Sequence, residues 1–145
     1  MPIEVKLFND FSTTHERETW NQIVDVFKNQ FGSESEAYLL LGNIKNDGKE
    51  WVDAIVVKKD AIIIIDFKEG KGKVEFSEKG PWKREKGEAI KGGSFLNPLC
   101  QLKFYKFKLK EHLSSKSGQY PDLANCNANH IDAIVLFREK ITLDP

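Results

Sequence analysis

Residues 50–74 have the sequence EWVDAIVVKKDAIIIIDFKEGKGKV, and this stretch determines how the rest of the chain can be arranged. Two apolar runs rich in β-branched residues, at 51–57 and 61–65, flank a short polar link and predict two adjacent strands. Asp53 lies near the start of the first strand, and Asp66 directly follows four isoleucines. A carboxylate in such a place is costly to bury without a cation or a hydrogen-bond donor. The two strands therefore frame a candidate polar site.

Lys68 follows Asp66 by two residues. Because strand side chains alternate between faces, these two side chains point to one side of the sheet and Phe67 to the other. Two carboxylates can hold a hard divalent cation such as Mg²⁺, and a lysine on the same face can stabilise developing negative charge. A hydrolytic metal site is one interpretation. An ordinary salt-bridged strand end is the other, and from this spacing alone it is the commoner.

A first helix is predicted to run to about Phe31, with Thr13 or Thr14 as its N-cap and Gly32 as its stop. Glu16 precedes Trp20 by four residues and extends the helix's inward face by one turn, so it is the acid that can reach a buried site. The alternative is a favourable first-turn charge, and local grounds do not separate the two. Apolar residues at helical spacing form the stripe that faces the core: Trp20, Ile23, Val24, Phe27 and Phe31.

A second helix is predicted to open at Asn97-Pro98, with Pro98 in its first turn. Gln101 lies beside its apolar stripe, and Lys103, Lys106 and Lys110 fall on another face, which is most often solvated. The stripe consists of Leu99, Leu102, Tyr105, Leu109 and Leu113.

The remaining segments are predicted as three strands and two loops. The strands are at 37–44, 73–76 and 131–137, and the loops are a long, exposed and mobile one at 77–96 and another at 114–129. Within the first loop, Trp82 can stack on a base or cover the sheet edge, and covering is the commoner role. The segment after residue 137 is expected to be a charged tail.

The composition indicates a single soluble globular domain spanning residues 1–145. Hydrophobic residues make up 40% and charged residues 30% of the chain. No apolar run is long enough for a membrane span and the N-terminus lacks the features of a signal peptide, so we expect no membrane partner and a cytoplasmic location. Cys100 and Cys126 are too few and too far apart for a disulfide framework or a zinc motif, so free thiols are expected.

Charge is balanced overall, with 22 basic and 22 acidic residues, but it is unevenly distributed. Residues 1–50 contain 5 basic and 9 acidic residues, whereas residues 67–110 contain 12 and 5. A basic segment beside an acidic one suits a metal site that faces a phosphate backbone. The lysines can equally solvate a helix face and a loop, and charge alone does not decide between these interpretations.

The order of these elements resembles the nuclease-related domain, NERD, a branch of the PD-(D/E)XK nuclease superfamily with the restriction-endonuclease-like fold. Together the matching features cover roughly two thirds of the chain in the right order, although each is weak alone. They are Glu16-Arg17 at the helix start, Val52-Asp53 and the apolar residues after it, Asp66-Phe67-Lys68, residues 70–74, Trp82, and NPLCQ at 97–101.

This resemblance implies an α/β fold with a mixed sheet flanked by helices, and a Mg²⁺- or Mn²⁺-dependent nuclease that cleaves DNA phosphodiester bonds. By position it makes Glu16, Asp53 and Asp66 the metal-site acids, Lys68 the catalytic lysine and Gln101 the helix glutamine near the active site. Such domains are often joined to helicase, kinase or other DNA-processing modules, so this chain is expected to be the N-terminal part of a longer protein.

Two departures from the family pattern leave room for weak activity or a relaxed metal preference. Asp66 stands where the family usually has glutamate, and Trp51 stands where many members carry an acid. The rival interpretation is a catalytically inactive nuclease-fold module that binds nucleic acid or a protein partner.

Overall fold

The computed structural model describes residues 3–33, 37–46, 49–58, 61–68, 72–84, 87–90, 97–116, 131–137 and 139–144. These residues contain two helices, α1 (Thr14–Phe31) and α2 (Pro98–Lys116). They also contain nine strands: β1 (Ile3–Leu7), β2 (Tyr38–Asn46), β3 (Lys49–Lys58), β4 (Ala61–Lys68), β5 (Gly72–Glu75), β6 (Trp82–Arg84), β7 (Ala89–Ile90), β8 (Ile131–Phe137) and β9 (Ile141–Asp144).

The larger sheet has five strands in the order β1-β2-β3-β4-β8. The pairs β1/β2 and β4/β8 are parallel, whereas β2/β3 and β3/β4 are antiparallel. This mixed sheet with its helices confirms the predicted α/β class and is consistent with a nuclease-like core. The two strands predicted from residues 50–74 are neighbours in its centre.

Helices pack against both faces of the larger sheet, and the run of four isoleucines in β4 follows from this arrangement. Ile63 and Ile65 belong to the cluster that contacts α1, whereas Ile62 and Ile64 belong to the cluster that contacts α2. A central strand that is covered on both faces needs apolar residues at successive positions rather than at alternate ones. The sheet therefore separates an α1 layer from an α2 layer.

The first helix begins and ends where the sequence predicts. Thr13 is the N-cap, and its side chain accepts a hydrogen bond from the backbone N–H of Glu16; Gly32 is the C-cap. Trp20 is buried against β2, where a Cβ atom at Gly42 would come within 2.8 Å of the indole ring. The absence of a side chain at position 42 thus allows α1 to lie close to the sheet.

A second, four-stranded sheet in the order β7-β6-β5-β9 corrects two predictions. The region 77–96 was predicted to be a loop, but it contains β6 and β7, and the expected tail after residue 137 contains β9. These strands have two to four residues, which is too short for a periodic signal. Residues 85–86 and 91–96 of that predicted loop lie outside the described residues.

Trp82 covers the small sheet, which was the commoner of its two predicted roles. Only 7% of its surface is exposed, its ring meets Phe76 edge-on at a centroid distance of 4.7 Å, and its Nε1 donates to the Ser77 carbonyl at 2.7 Å. A buried indole is not available to stack on a base. The small sheet therefore has its own apolar cluster, centred on Val74, Trp82 and Ile90.

The remaining expectations concern the two cysteines, the second predicted loop and the absence of a membrane span, and parts of these segments lie outside the described residues. Cys100 is a free thiol, and Cys126 lies outside the described residues. The second predicted loop begins later than expected, because α2 continues to Lys116, and residues 117–129 again lie outside. Across the described ranges, no helix combines the length and apolar character that a membrane crossing requires.

Candidate active site

The register between β3 and β4 brings Asp53 and Asp66 together. Ala54 pairs with Ile65 in this antiparallel ladder, so the next position along places Asp53 opposite Asp66. The backbone N–H of Phe67 donates to Asp53 Oδ2 at 2.7 Å, which joins the two strands beyond their last ladder pair. The two acids, thirteen residues apart in sequence, are therefore direct neighbours on the α2 face of the sheet.

Lys68 lies on the same face as Asp66, as strand alternation predicts. Its Nζ is 3.1 Å from Asp66 Oδ2, and the exposed side-chain fractions are only 15% and 8%. Phe67, between them, packs into the cluster on the α1 side. This ion pair is largely withdrawn from water, unlike the solvated strand-end pair that the sequence left open, and breaking a pair of this kind is costly.

A chain of polar contacts extends from this pair to α2. Lys68 Nζ donates to Gln101 Oε1 at 3.2 Å, and Gln101 Nε2 donates to the Tyr105 hydroxyl oxygen at 2.9 Å. Gln101 is buried, so both ends of its amide are used where water is scarce. The glutamine therefore holds the lysine ammonium beside Asp66, and Tyr105 fixes which end of the amide faces the lysine.

Asp53 is the titratable group most changed by this environment. Burial is the largest cause that raises its pKa, from 3.8 to about 9, followed by the charge of Asp66 and a hydrogen bond with the Asp66 side chain. The Phe67 N–H lowers the pKa, and the charge of Glu16 raises it by the smallest of these effects. Two adjacent carboxyl groups with little access to water repel each other when both are ionised, which favours the protonated form of Asp53 in the metal-free protein.

The carboxyl pair has the chemistry of a site for a hard divalent cation. Asp66 Oδ2 is buried and, apart from the Lys68 ion pair, no hydrogen-bond donor in the described ranges is aligned with it. Mg²⁺ prefers oxygen ligands and commonly uses one or two carboxylates, with waters and substrate phosphate oxygens completing its octahedral shell. Asp53 and Asp66 therefore fit Mg²⁺ or Mn²⁺ as a two-carboxylate site.

Glu16 does not join this pair directly. Its Oε1 accepts a hydrogen bond from Thr13 Oγ1 at 2.8 Å, so the carboxylate contacts the side chain of the N-cap residue. Glu16 belongs to α1, which packs against one face of the larger sheet, whereas α2 packs against the opposite face. Among the residues described, no three His, Cys, Asp or Glu side chains converge closely enough to hold a metal ion. Glu16 thus contributes its charge to the site while its carboxylate caps α1.

Asn43 anchors the segment that leads to Glu16. It is fully buried with a positive φ of 46°, and its Nδ2 donates to the carbonyl oxygens of Asn9 and Asp10 at 3.1 and 2.8 Å. Asn9 returns a hydrogen bond to the Asn43 carbonyl. Asparagine is among the few residues that adopt this backbone conformation readily. The start of α1 is therefore tied to β2.

Sequence reasoning missed the role of two other side chains. It assigned Tyr105 to the apolar stripe of α2, although the four-residue spacing from Gln101 could have indicated the contact between them. Asn97 was identified as part of the helix start and of the NPLCQ motif, without a role for its side chain. It is fully buried, its Oδ1 caps α2 by accepting from Cys100 N at 2.9 Å, and its Nδ2 holds the turn at residues 77–80.

A protein-family model described as the nuclease-related domain, NERD, matches residues 17–138. That range contains Asp53, Asp66, Lys68 and Gln101, and begins one residue after Glu16. No curated protein and no solved structure is similar enough to this chain to match it.

Proposed function

Because the matched region spans well over half of its length, the chain belongs to the nuclease-related domain family, and we propose that it is a metal-dependent nuclease hydrolysing DNA phosphodiester bonds. The observation that supports this most directly is the buried carboxyl pair, Asp53 and Asp66, with Lys68 paired to one member. Placing two acids side by side out of water opposes folding unless a proton or a cation compensates them. A divalent cation is the compensation that is also chemically useful.

Asp53 and Asp66 would hold Mg²⁺ or Mn²⁺, and Glu16 would add negative charge from the start of α1. Such an ion, when bound, polarises a phosphoryl oxygen and makes a water molecule more acidic. Asp53 must release its proton before both carboxylates can act as ligands, so metal affinity rises with pH. This proton loss is the first step that the site's own residues perform.

Lys68 acts on the phosphate rather than on the metal, and Gln101 orients Lys68. The Lys68 ammonium lies on the same face as both carboxyl groups, where it can stabilise negative charge that develops on a phosphoryl oxygen in the transition state. Its hydrogen bond to Gln101 keeps the ammonium oriented in advance, which lowers the reorganisation that the reaction requires. Tyr105 supports this orientation through the other end of the amide.

The test is cleavage of supercoiled plasmid and of labelled single-stranded DNA in Mg²⁺ and in Mn²⁺. We expect Asp66→Asn and Lys68→Ala each to lower the cleavage rate by roughly 10²- to 10³-fold, the size typical of losing a charge-stabilising group. Asp25→Asn and Lys28→Ala, at exposed positions of α1, are the matched controls and should cleave like the wild type. A wild type that cuts nothing, or four variants that all cut equally well, would overturn the assignment.

The alternative is an inactive nuclease-fold module that binds nucleic acid or a protein partner. The observation that favours it is the Glu16 carboxylate, which is engaged by Thr13 rather than directed at the two aspartates. Such a module would bind DNA equally well in EDTA and in Mg²⁺, and Lys68→Ala would not reduce that binding. Measuring DNA affinity in both conditions separates it from the enzyme.

A further inference from the structure

Two phenylalanines lie on the solvent face of α2. The exposed fractions of Phe104 and Phe107 are 40% and 58%, although the helix buries Leu102 and Leu109 on its other side. Residues three apart lie on neighbouring turns of one helix face, and their Cα atoms are about 4.5 Å apart along the axis. Large aromatic side chains are costly to leave in water, so two of them exposed side by side indicate a binding surface.

Several lysines lie close to the two phenylalanines along α2, and the nearest in sequence are Lys103, Lys106, Lys108 and Lys110. The helix α2 contains a single acid, Glu111, and five lysines, at positions 103, 106, 108, 110 and 116. Lys108 Nζ lies 5.5 Å from the centre of the Phe104 ring and 3.6 Å from Glu111. A positive charge therefore already sits beside one aromatic face, where it is attracted by the ring's π electrons. The outer surface of α2 is both aromatic and basic.

This aromatic and basic surface lies close to the candidate active site along α2. Phe104 follows Gln101 by three residues, so the two lie one turn apart on adjoining sides of α2. Gln101 in turn holds Lys68 beside Asp66. A nucleic-acid strand lying along the outside of α2 would thus be one helical turn from Gln101, which orients Lys68.

We propose that the outer face of α2 is a stacking platform for single-stranded DNA, with Phe104 and Phe107 stacking on bases and the lysines contacting the backbone phosphates. Single-stranded DNA is then the substrate form of the site, a conclusion that builds on the proposed nuclease function. Exposed aromatic rings along a basic track are how proteins bind single strands without reading their sequence. Bases in a duplex are already stacked on each other and offer the rings no face, and an apolar protein partner would not match the surrounding lysines.

The test measures binding by fluorescence anisotropy of a labelled 20-nucleotide oligothymidylate and of a labelled 20-base-pair duplex. Both are measured in EDTA so that no cleavage occurs. Phe104→Ala/Phe107→Ala should weaken oligothymidylate binding at least about tenfold, because each stacked base contributes on the order of 1–3 kcal/mol. Binding of the duplex should change less than about twofold. The matched control is Phe8→Ala, whose side chain is 57% exposed on another part of the molecule, and it should bind like the wild type.

A second pair of variants separates stacking from general apolar contact. Phe104→Tyr/Phe107→Tyr keeps the rings and should retain single-strand affinity, whereas Phe104→Leu/Phe107→Leu keeps the apolar volume and should lose it. Equal loss for single strand and duplex, undiminished binding by the Ala or Leu variants, or no single-strand binding by the wild type would overturn the proposal. So would an effect of these variants on self-association alone, which would assign the surface to a protein partner.

The two proposals can fail separately. Single-strand binding that depends on the two rings, in a protein that cleaves nothing in Mg²⁺ or Mn²⁺, would support the platform and reject the nuclease. Metal-dependent cleavage that Asp66→Asn abolishes and the phenylalanine variants leave unchanged would support the nuclease and reject the platform.

Discussion

At the scale of single residues, the properties of the candidate site follow from one proton on Asp53. The Asp66 carboxylate is already paired with Lys68, so the uncompensated member of the trio is Asp53. Its burial and its neighbour raise its pKa to about 9, and a proton or a bound cation relieves the repulsion equally well in principle. Folding, protonation and metal binding are therefore linked at this one carboxyl group.

The first prediction concerns the pH dependence of stability in the metal-free protein. The pKa of Asp53 is 3.8 ordinarily and about 9 in the folded protein, so between these values the folded state binds more protons than the unfolded state. The contribution of Asp53 to wild-type stability should therefore be fully present below about pH 4 and be lost as pH rises toward 9. Asp53→Asn mimics the protonated carboxyl, so it should be more stable than the wild type at pH 8, by roughly 2 kcal/mol or more, and not at pH 4.

Urea unfolding in EDTA at pH 4, 6 and 8 measures this difference, with Asp25→Asn as the control for loss of an exposed acid. Parallel pH profiles for the wild type and Asp53→Asn would show that Asp53 is ionised in the folded protein.

Strand periodicity was enough to predict that Asp66 and Lys68 face one side of the sheet and Phe67 the other, because side chains alternate along a strand. The sequence predicted that the two strands are adjacent, but the register that places Asp53 opposite Asp66 became known only from the structure. The contact of Lys68 with Gln101 was not predictable in the same way, since it depends on how α2 crosses the sheet. Only the resemblance to a known family indicated Gln101 before the structure placed it.

At the scale of elements, Asn97 connects the small sheet to the helix that carries Gln101. Its Oδ1 caps α2, and its Nδ2 lies within hydrogen-bonding distance of three carbonyl oxygens, those of Ser77, Glu78 and Gly80. The Trp82 indole donates to the first of these carbonyls as well. The start of α2 is therefore fixed by a turn that is itself held by the small sheet.

The second prediction separates the two functions of Asn97. Asn97→Asp keeps the N-cap acceptor but loses the donor and places a negative charge against carbonyl oxygens, so we expect it to destabilise the protein by about 2–3 kcal/mol. Asn97→Ser keeps a capping oxygen without the charge and should cost less, about 1–2 kcal/mol. Chemical denaturation measures both, and the order of the two variants is decisive: if Asn97→Asp is the more stable, capping alone is the role of this residue.

The long elements were predictable and most of the short ones were not, for a physical reason. The helix α1 has a cap at each end and an apolar stripe that repeats over about three turns, so its limits were predicted to within a residue. The strands β6, β7 and β9 form because their neighbours supply hydrogen bonds and a shared apolar cluster, including Val74 and Ile90. Such strands are specified by tertiary contacts rather than by local sequence pattern.

At the scale of the whole molecule, the two faces of the larger sheet differ in polarity, and the candidate site lies on only one of them. Its α1 face is a continuous apolar layer around Trp20 and Phe67. The other face is apolar where β4 meets the centre of α2 and becomes polar toward the end of the strand, where Asp66 and Lys68 meet Gln101. The polar contacts of the site thus lie beside a packed core that can hold them in place, which is the arrangement that catalytic groups require.

The last prediction uses this coupling between the site and the fold. A cation that binds the folded carboxyl pair should raise the melting temperature of the wild type in Mg²⁺ or Mn²⁺, by an amount equivalent to about 2.7 kcal/mol at one hundred times its dissociation constant. The shift should be larger at pH 8 than at pH 6, because Asp53 must first lose its proton. Asp66→Asn should abolish the shift, and Asp25→Asn should retain it. Thermal unfolding with Mg²⁺ against EDTA needs no DNA substrate, so it tests the site independently of turnover. A wild type that melts at one temperature under both conditions would favour the inactive module, in which Asp53 keeps its proton permanently and Lys68 serves only to pair with Asp66.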